Sequence, residues 1–402
     1  MILVDLPAPD ADAARHSDAL KQAIAAEIRR SGGCIPFSRY MELALYAPGL
    51  GYYSAGATKF GAAGDFVTAP ELGSLFAESV ANAFARALAS LGGHADIVEL
   101  GGGSGAFALD TLIALQRMDA LPTRYRILEP SADLRQRQQQ QLSAQLPVEL
   151  MARVEWLDGL PEQPWRGVLF ANEVLDALPT TRFVVGEEEL QEEHVGLDAS
   201  GALIRVDRPA DALLLRAVNH IERALGRRFP IGYRSEVLVQ LPWWLQAVTA
   251  GLEQGLVLFL DYGYPRSELY LPERVDGTLI CHYRHRAHAE PLWMPGLSDI
   301  TAFVDFSAVA EAGKAAGFEL AGFASQAGFL LGCGLLAQLE RQQSELTQTD
   351  AAHFSSAAAR ATEQARRLLL PGEMGERFKA IGLQRGIDVS ALFVEADRRG
   401  RL

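Results

Sequence analysis

The sequence predicts an α/β fold built on a parallel sheet and interrupted by an insertion, and three observations carry that reading. Short strand-like runs at residues 96–100, 125–129 and 167–171 alternate with helical patterns near 109–115 and 134–146, the rhythm of βαβ units. A glycine-rich turn at 101–105 joins the first run to its helix. Over 183–206 the rhythm stops, and two β-prone pieces surround the acidic cluster Glu187, Glu188, Glu189, Glu192 and Glu193.

The elements follow in chain order. Leu20, Ile24 and Ile28 recur at i, i+4 and i+8, which predicts an amphipathic helix ending at Gly32-Gly33. Residues 46–66 are rich in glycine and aromatics and keep no period, as compact site-bearing loops do. Thr68-Ala-Pro-Glu71 reads as a capping box that opens a helix with the stripe Leu72, Leu75, Phe76, Val80, Phe84 and Leu88, stopped at Gly92-Gly93. After the three βα repeats and the insertion, a helix is expected at 212–225, a buried strand at 256–261, a helix at 306–316 and a last strand near 318–324. The tail beyond Gln342 reads as helical and peripheral. The resulting segments are an N-terminal helical and loop region (1–92), a first core half (93–182), an insertion (183–254), a second core half (255–341) and a helical tail (342–402).

Composition narrows the function classes. The 402 residues are 49% hydrophobic and 22% charged, which is ordinary for a folded globular chain. With 37 lysines and arginines against 50 aspartates and glutamates, the formal charge of −13 repels phosphate backbones and argues against a nucleic-acid partner. Three scattered cysteines suggest neither a disulfide framework nor a thiolate zinc site. No apolar run reaches the roughly 18 residues a membrane span needs. The aspartate-rich start resembles no signal or transit peptide, so a cytoplasmic location is expected.

Ile97-Val-Glu-Leu-Gly-Gly-Gly-Ser-Gly105 is the most informative segment. Glycines let a backbone turn tightly against a ligand, and the helix N-terminus behind them offers free N–H groups, so a nucleotide-like ligand is expected. Gly101, Gly103 and Ala106 also satisfy G-x-G-x-x-A, which keeps a nicotinamide-dependent oxidoreductase open as an alternative. Glu99 favours a different cofactor. A carboxylate at the carboxyl end of that strand would repel a pyrophosphate but could hold the cationic ammonium end of S-adenosylmethionine. Glu129, ending the second strand, is placed for the ribose hydroxyls of either nucleotide class. Val154-Glu-Trp-Leu-Asp158 reads as a further strand between 125–129 and 167–171, third in chain order, and Leu157 and Asp158 at its end could meet an adenine and its exocyclic amine.

Asn172 and Glu173 follow the fourth strand, where they supply an acceptor and a carboxylate for a substrate amine or guanidinium. The competing reading makes Asn172 a helix N-cap with Glu173 in the first turn. Cys281-His-Tyr-Arg-His-Arg-Ala-His288 gathers three histidines and a cysteine, but Arg284 and Arg286 among them argue for a polar loop rather than a metal site. Pro242-Trp-Trp-Leu245 reads as a core anchor.

Together, Lys59-Phe-Gly-Ala-Ala-Gly-Asp-Phe-Val-Thr-Ala-Pro-Glu71, Val98-Glu-Leu-Gly-Gly-Gly-Ser-Gly105, Asn172-Glu-Val-Leu-Asp-Ala-Leu-Pro179, Asp261-Tyr-Gly-Tyr264 and Pro295-Gly-Leu-Ser-Asp-Ile-Thr-Ala-Phe-Val-Asp-Phe306 resemble the MidA family, in order from about Gly49 to Gly334. Mitochondrial members of that family are complex I assembly factors with arginine methyltransferase activity. The resemblance implies a Rossmann-like methyltransferase fold with a seven-stranded, mostly parallel sheet, an inserted substrate-covering region, and S-adenosylmethionine as donor.

By motif position, Glu99, Gly101, Gly103 and Glu129 would hold the donor, and Gly105, Leu157, Asp158 and Asn172 are further candidates for binding it. Gly64, Asp65 and Phe66 would close over it, and His285 and His288 match family histidines. Gly102 and Ser104 depart from many members in a way that should leave donor binding intact. The implied acceptor is a protein arginine, on a subunit of the NADH–quinone oxidoreductase kind, and a homodimer stays open. Guanidinium is a delocalised cation and a poor nucleophile, so carboxylates must localise its charge. Glu173 and Asp65 are the candidates, with Asp176 and His285 behind them. A methyltransferase fold used only as a non-catalytic assembly factor is the remaining alternative.

Overall fold

The computed structural model describes residues 6–54, 68–161, 163–346, 351–394 and 396–402. It divides into two compact units, one of Met1–Phe66, Leu175–Leu241 and Tyr264–Asp305, the other of Val67–Val174, Pro242–Gly263 and Phe306–Leu402.

The second unit supplies seven strands of an eight-stranded sheet. These are β1 (Asp96–Leu100), β2 (Tyr125–Leu128), β3 (Val154–Leu157), β4 (Trp165–Asn172), β5 (Leu252–Tyr264), β6 (Glu319–Ser325) and β7 (Phe378–Arg385). They lie in the order β6-β7-β5-β4-β1-β2-β3. The pairs β5–β4, β4–β1, β1–β2 and β2–β3 are parallel, and β7 is antiparallel to both its neighbours. Chain order reverses between β1 and β4. In open α/β sheets this switch point is where ligands bind, beyond the carboxyl ends of the strands.

One face of that sheet is covered by two helices, α1 (Ser74–Leu91) and α2 (Ala106–Arg117). Phe107 of α2 stacks on Phe170 of β4 with ring centroids 4.4 Å apart, and Phe84 of α1 meets Phe170 edge-on at 5.3 Å. These buried rings fix the start of α2, and hence the glycine turn before it, against the sheet.

Two sequence expectations are corrected here. The C-terminal tail is not wholly helical, because β7 lies inside the sheet between β5 and β6. Its polar Lys379, Gln384 and Arg385 and its central Gly382 conceal the strand pattern. A Cβ at Gly382 would come within 2.7 Å of Phe393, so close packing requires the glycine. The capping box does not form either. Residues 69–72 make a single 3₁₀ turn without a side-chain cap from Thr68, and α1 starts only at Ser74, after Gly73 at φ 136°. The Glu71 carboxylate accepts from the Ser104 hydroxyl instead.

In the first unit, Cys34–Pro36 pairs antiparallel with Leu190–Leu197, so the N-terminal segment and the inserted strands share one five-stranded sheet. The acidic cluster divides by position. Glu187, Glu188 and Glu189 are exposed at the hairpin tip. Glu193, a member of the same cluster, is fully buried, with Arg234 at 2.6 Å and Arg182 at 3.6 Å. Arginines from neighbouring strands supply the compensation that a buried carboxylate needs.

Candidate active site

The glycine turn leaves β1 with Gly101, Gly103 and Gly105 at φ 67°, 53° and 89°, a conformation that costs an L side chain about 1–2 kcal/mol. It is also crowded. A Cβ on Gly101 would lie 3.0 Å from Val174, and one on Gly102 would lie 2.8 Å from Ile127. The turn closes with the Gly105 N–H donating to the Gly102 carbonyl at 2.8 Å, and Gly105 forms the N-terminus of α2.

Glu99 is buried in β1, and its Oε2 accepts from the Tyr125 hydroxyl at 2.8 Å. Burial pushes its carboxyl up to about 7, against the hydrogen bond from Tyr125 and with help from the negative charge of Glu129. The native chain therefore holds an extra proton between the ordinary value of 4.5 and about 7, and raising pH through that window destabilises the ligand-free protein. A ligand cation beside Glu99 would favour its ionised form. Binding of S-adenosylhomocysteine, whose amine is cationic, should then release a proton below about pH 7 and tighten as pH rises towards 7. Calorimetry in two buffers of different ionisation enthalpy measures this, and Glu99→Gln should abolish the release.

Glu129 follows β2 and is buried, with Oε1 accepting from the Ser131 N–H at 2.9 Å and Oε2 from the Gln138 amide at 3.3 Å. Ser131 caps the next helix, α3 (Ala132–Gln145), through its hydroxyl. Leu157 is half-buried at the end of β3. Asp158 is exposed and paired with Arg135 at 2.5 Å. All of these stand at the carboxyl edge of the sheet.

Across the switch point, Asn172 ends β4 and donates to Glu173 Oε1 at 3.0 Å, while its buried Oδ1 has no hydrogen-bond partner among the described residues. Glu173 adopts φ 54°. No helix begins here, so the N-cap alternative is overturned. The turn is held by β5 instead, with the Glu173 N–H donating to the Leu260 carbonyl at 2.9 Å and the Val174 N–H to Asp261 Oδ2 at 3.2 Å. A left-handed glutamate is strained, and such strain clusters at working sites.

The remaining candidates belong to the first unit. Asp176 is buried there, its carbonyl accepting from the Ala302 N–H at 3.0 Å. Residues 281–288 form a β-hairpin rather than a polar loop, with strands Ile280–Tyr283 and Arg286–His288. His285 sits exposed at its two-residue tip, where both Arg284 (φ 46°) and His285 (φ 61°) take the left-handed conformation that such a turn demands. His288 is buried, with Nε2 on Ser298 Oγ at 3.1 Å and Nδ1 accepting from the Glu290 N–H. Burial lowers it to about 4, which keeps it neutral. Gly64, Asp65 and Phe66 lie outside the described residues.

Two residues were not singled out from sequence. Asp261 appeared only within the Asp-Tyr-Gly-Tyr motif, with no task assigned. Gln138 was hidden in the run Gln138–Gln141, although Leu134, Gln138 and Leu142 at i, i+4 and i+8 place it on the buried face of α3.

The residues at this edge suit an adenosyl donor. A Cβ on Gly101, Gly102 or Gly105 would press on Val174, Ile127 or Gln138, Asn172 Oδ1, without a partner among the described residues, can accept from an ammonium, and Glu99 and Glu129 supply carboxylates in place of the positive charge a pyrophosphate would want.

Comparisons with known proteins agree. Residues 79–324 match the model of an S-adenosyl-L-methionine-dependent methyltransferase family, Methyltransf_28. A COG1565 superfamily protein of Burkholderia thailandensis, solved with S-adenosylhomocysteine bound, is 42% identical with a TM-score of 0.90, over 99% of this chain and 100% of that one. The mitochondrial protein arginine methyltransferase NDUFAF7 homolog of Drosophila melanogaster is 27% identical over 89% of this chain and 83% of its own. That of Caenorhabditis elegans is 28% identical over 71% and 70%. The chain belongs to this family of S-adenosylmethionine-dependent methyltransferases, the MidA family, and S-adenosylmethionine is its cofactor.

Proposed function

We propose that this methyltransferase modifies an arginine side chain of a partner protein, and that a subunit of the NADH–quinone oxidoreductase kind is the acceptor. The observation that carries the reading is Glu173, a carboxylate held in a strained left-handed turn directly after β4, beside the Gly101 cradle. The arginine methyltransferase names of the mitochondrial relatives support the same acceptor.

When bound, S-adenosylmethionine supplies an electrophilic methyl group on a sulfonium. The chain supplies position and charge. On this reading Gly101, Gly103 and Gly105 admit the donor, Glu129 binds its ribose, Glu99 and Asn172 face its ammonium, and Leu157 and Asp158 lie towards its adenine. Glu173 pairs with the acceptor guanidinium and draws its positive charge onto the nitrogens it holds, so that the remaining nitrogen can be presented in line at roughly 3–3.5 Å.

The test is mass spectrometry of that oxidoreductase subunit from cells with and without this gene. Arginine peptides should lose one or more methyl groups of mass when the gene is absent. If no peptide differs while the purified protein still binds S-adenosylhomocysteine, the arginine reading fails and the assembly-factor reading takes its place.

A further inference from the structure

We infer that Gln138 is a positioning residue of the donor site, whose amide sets the Glu129 carboxylate and the glycine turn in one geometry for ribose recognition. This rests on the assignment of Glu129 to the ribose. Gln138 is fully buried on α3, and its carboxamide is matched at both ends. Nε2 donates to the Gly103 carbonyl at 2.9 Å and to Glu129 Oε2 at 3.3 Å, while Oε1 accepts from the Trp156 indole at 2.9 Å.

The partners dictate the amide's direction. An indole only donates, and a carbonyl and a carboxylate only accept, so the nitrogen must face Gly103 and Glu129. The glycines make room for it: a Cβ on Gly102 would lie 3.1 Å from Gln138 Nε2, and one on Gly105 would lie 3.3 Å from its Cγ. One side chain thus ties together the turn after β1, the carboxylate after β2 and Trp156 on β3. With Ser131 on Oε1 and Gln138 on Oε2, the Glu129 carboxylate is oriented before a ligand arrives.

The test compares S-adenosylhomocysteine with S-(2′-deoxyadenosyl)homocysteine by calorimetry in the wild type, Glu129→Ala, Gln138→Met and Gln138→Glu. The wild type should prefer the ribose form by roughly tenfold, the worth of one charge-assisted hydrogen bond. Both Glu129→Ala and Gln138→Met should reduce that preference to below about twofold. A purely structural role for Gln138 would weaken the two ligands equally and keep the preference, and that result overturns the inference. If Glu129→Ala itself keeps the preference, the ribose assignment fails first.

Gln138→Glu covers the case in which the methionine variant does not fold. Ionised, it preserves the acceptor for Trp156 but sets a second negative charge against Glu129. Protonated, it regains a donor. Its affinity relative to wild type at the same pH should therefore be poor at pH 8 and approach unity towards pH 5. A ratio that does not change with pH contradicts the inference.

Discussion

Gly103→Val should abolish detectable binding of S-adenosylhomocysteine while leaving the sheet folded. Gly103 sits at φ 53°, where a β-branched residue is least tolerated, since its Cβ substituents restrict χ1 and crowd the carbonyl. The turn cannot relax away from the substitution. Its Gly103 carbonyl is held by Gln138, its Gly101 N–H donates to the Leu128 carbonyl at 3.0 Å, and α2 behind it is locked by the Phe107–Phe170 stack. On the proposed donor assignment, that strain falls where the adenosyl group would lie. Gly103→Ala should show a milder loss, because alanine adds one carbon without branching. Calorimetric titration of both variants, with circular dichroism as the folding control, measures the effect. Equal affinity of Gly103→Val and wild type would remove the turn from the donor site.

Glu173→Gln should leave donor affinity within about twofold of wild type and reduce methyl transfer by at least about tenfold. The two side chains are nearly isosteric, and a glutamine oxygen can still accept from Asn172, so the turn pinned by Leu260 and Asp261 should survive. What disappears is the charge that pairs with a guanidinium. Donor binding and turnover are thereby separated in one variant. Loss of both together would make Glu173 a donor ligand, and loss of neither would remove it from the chemistry.

Local features of this site were legible in the sequence because they depend on residue type and short spacing. The strand ends that place Glu99 and Glu129, the turn at 101–105 and the start of α2 all follow from a glycine run between a strand and a helix. The order of the strands did not follow, because β7 reaches its place between β5 and β6 through pairings remote in sequence. Its lysine, glutamine and glycine also mask a strand buried along most of its length. Gln138 was obscured by identical neighbours, although only its position falls on the buried face of α3. The conformation of Glu173 is imposed by hydrogen bonds from β5, some ninety residues away, which local propensity cannot register. In the capping segment, Ser104 engages Glu71 and Gly73 interrupts the helix, so a valid local motif yields to tertiary partners.

The most direct measurement is a crystal structure of this protein with S-adenosylhomocysteine at a resolution that places the ribose hydroxyls. The account predicts both hydroxyls on the Glu129 carboxylate, the adenosyl group over the Gly101–Gly105 turn, and the amine facing Glu99 and Asn172 Oδ1. A ribose seated elsewhere, with Glu129 still bonded only within the protein, would contradict it.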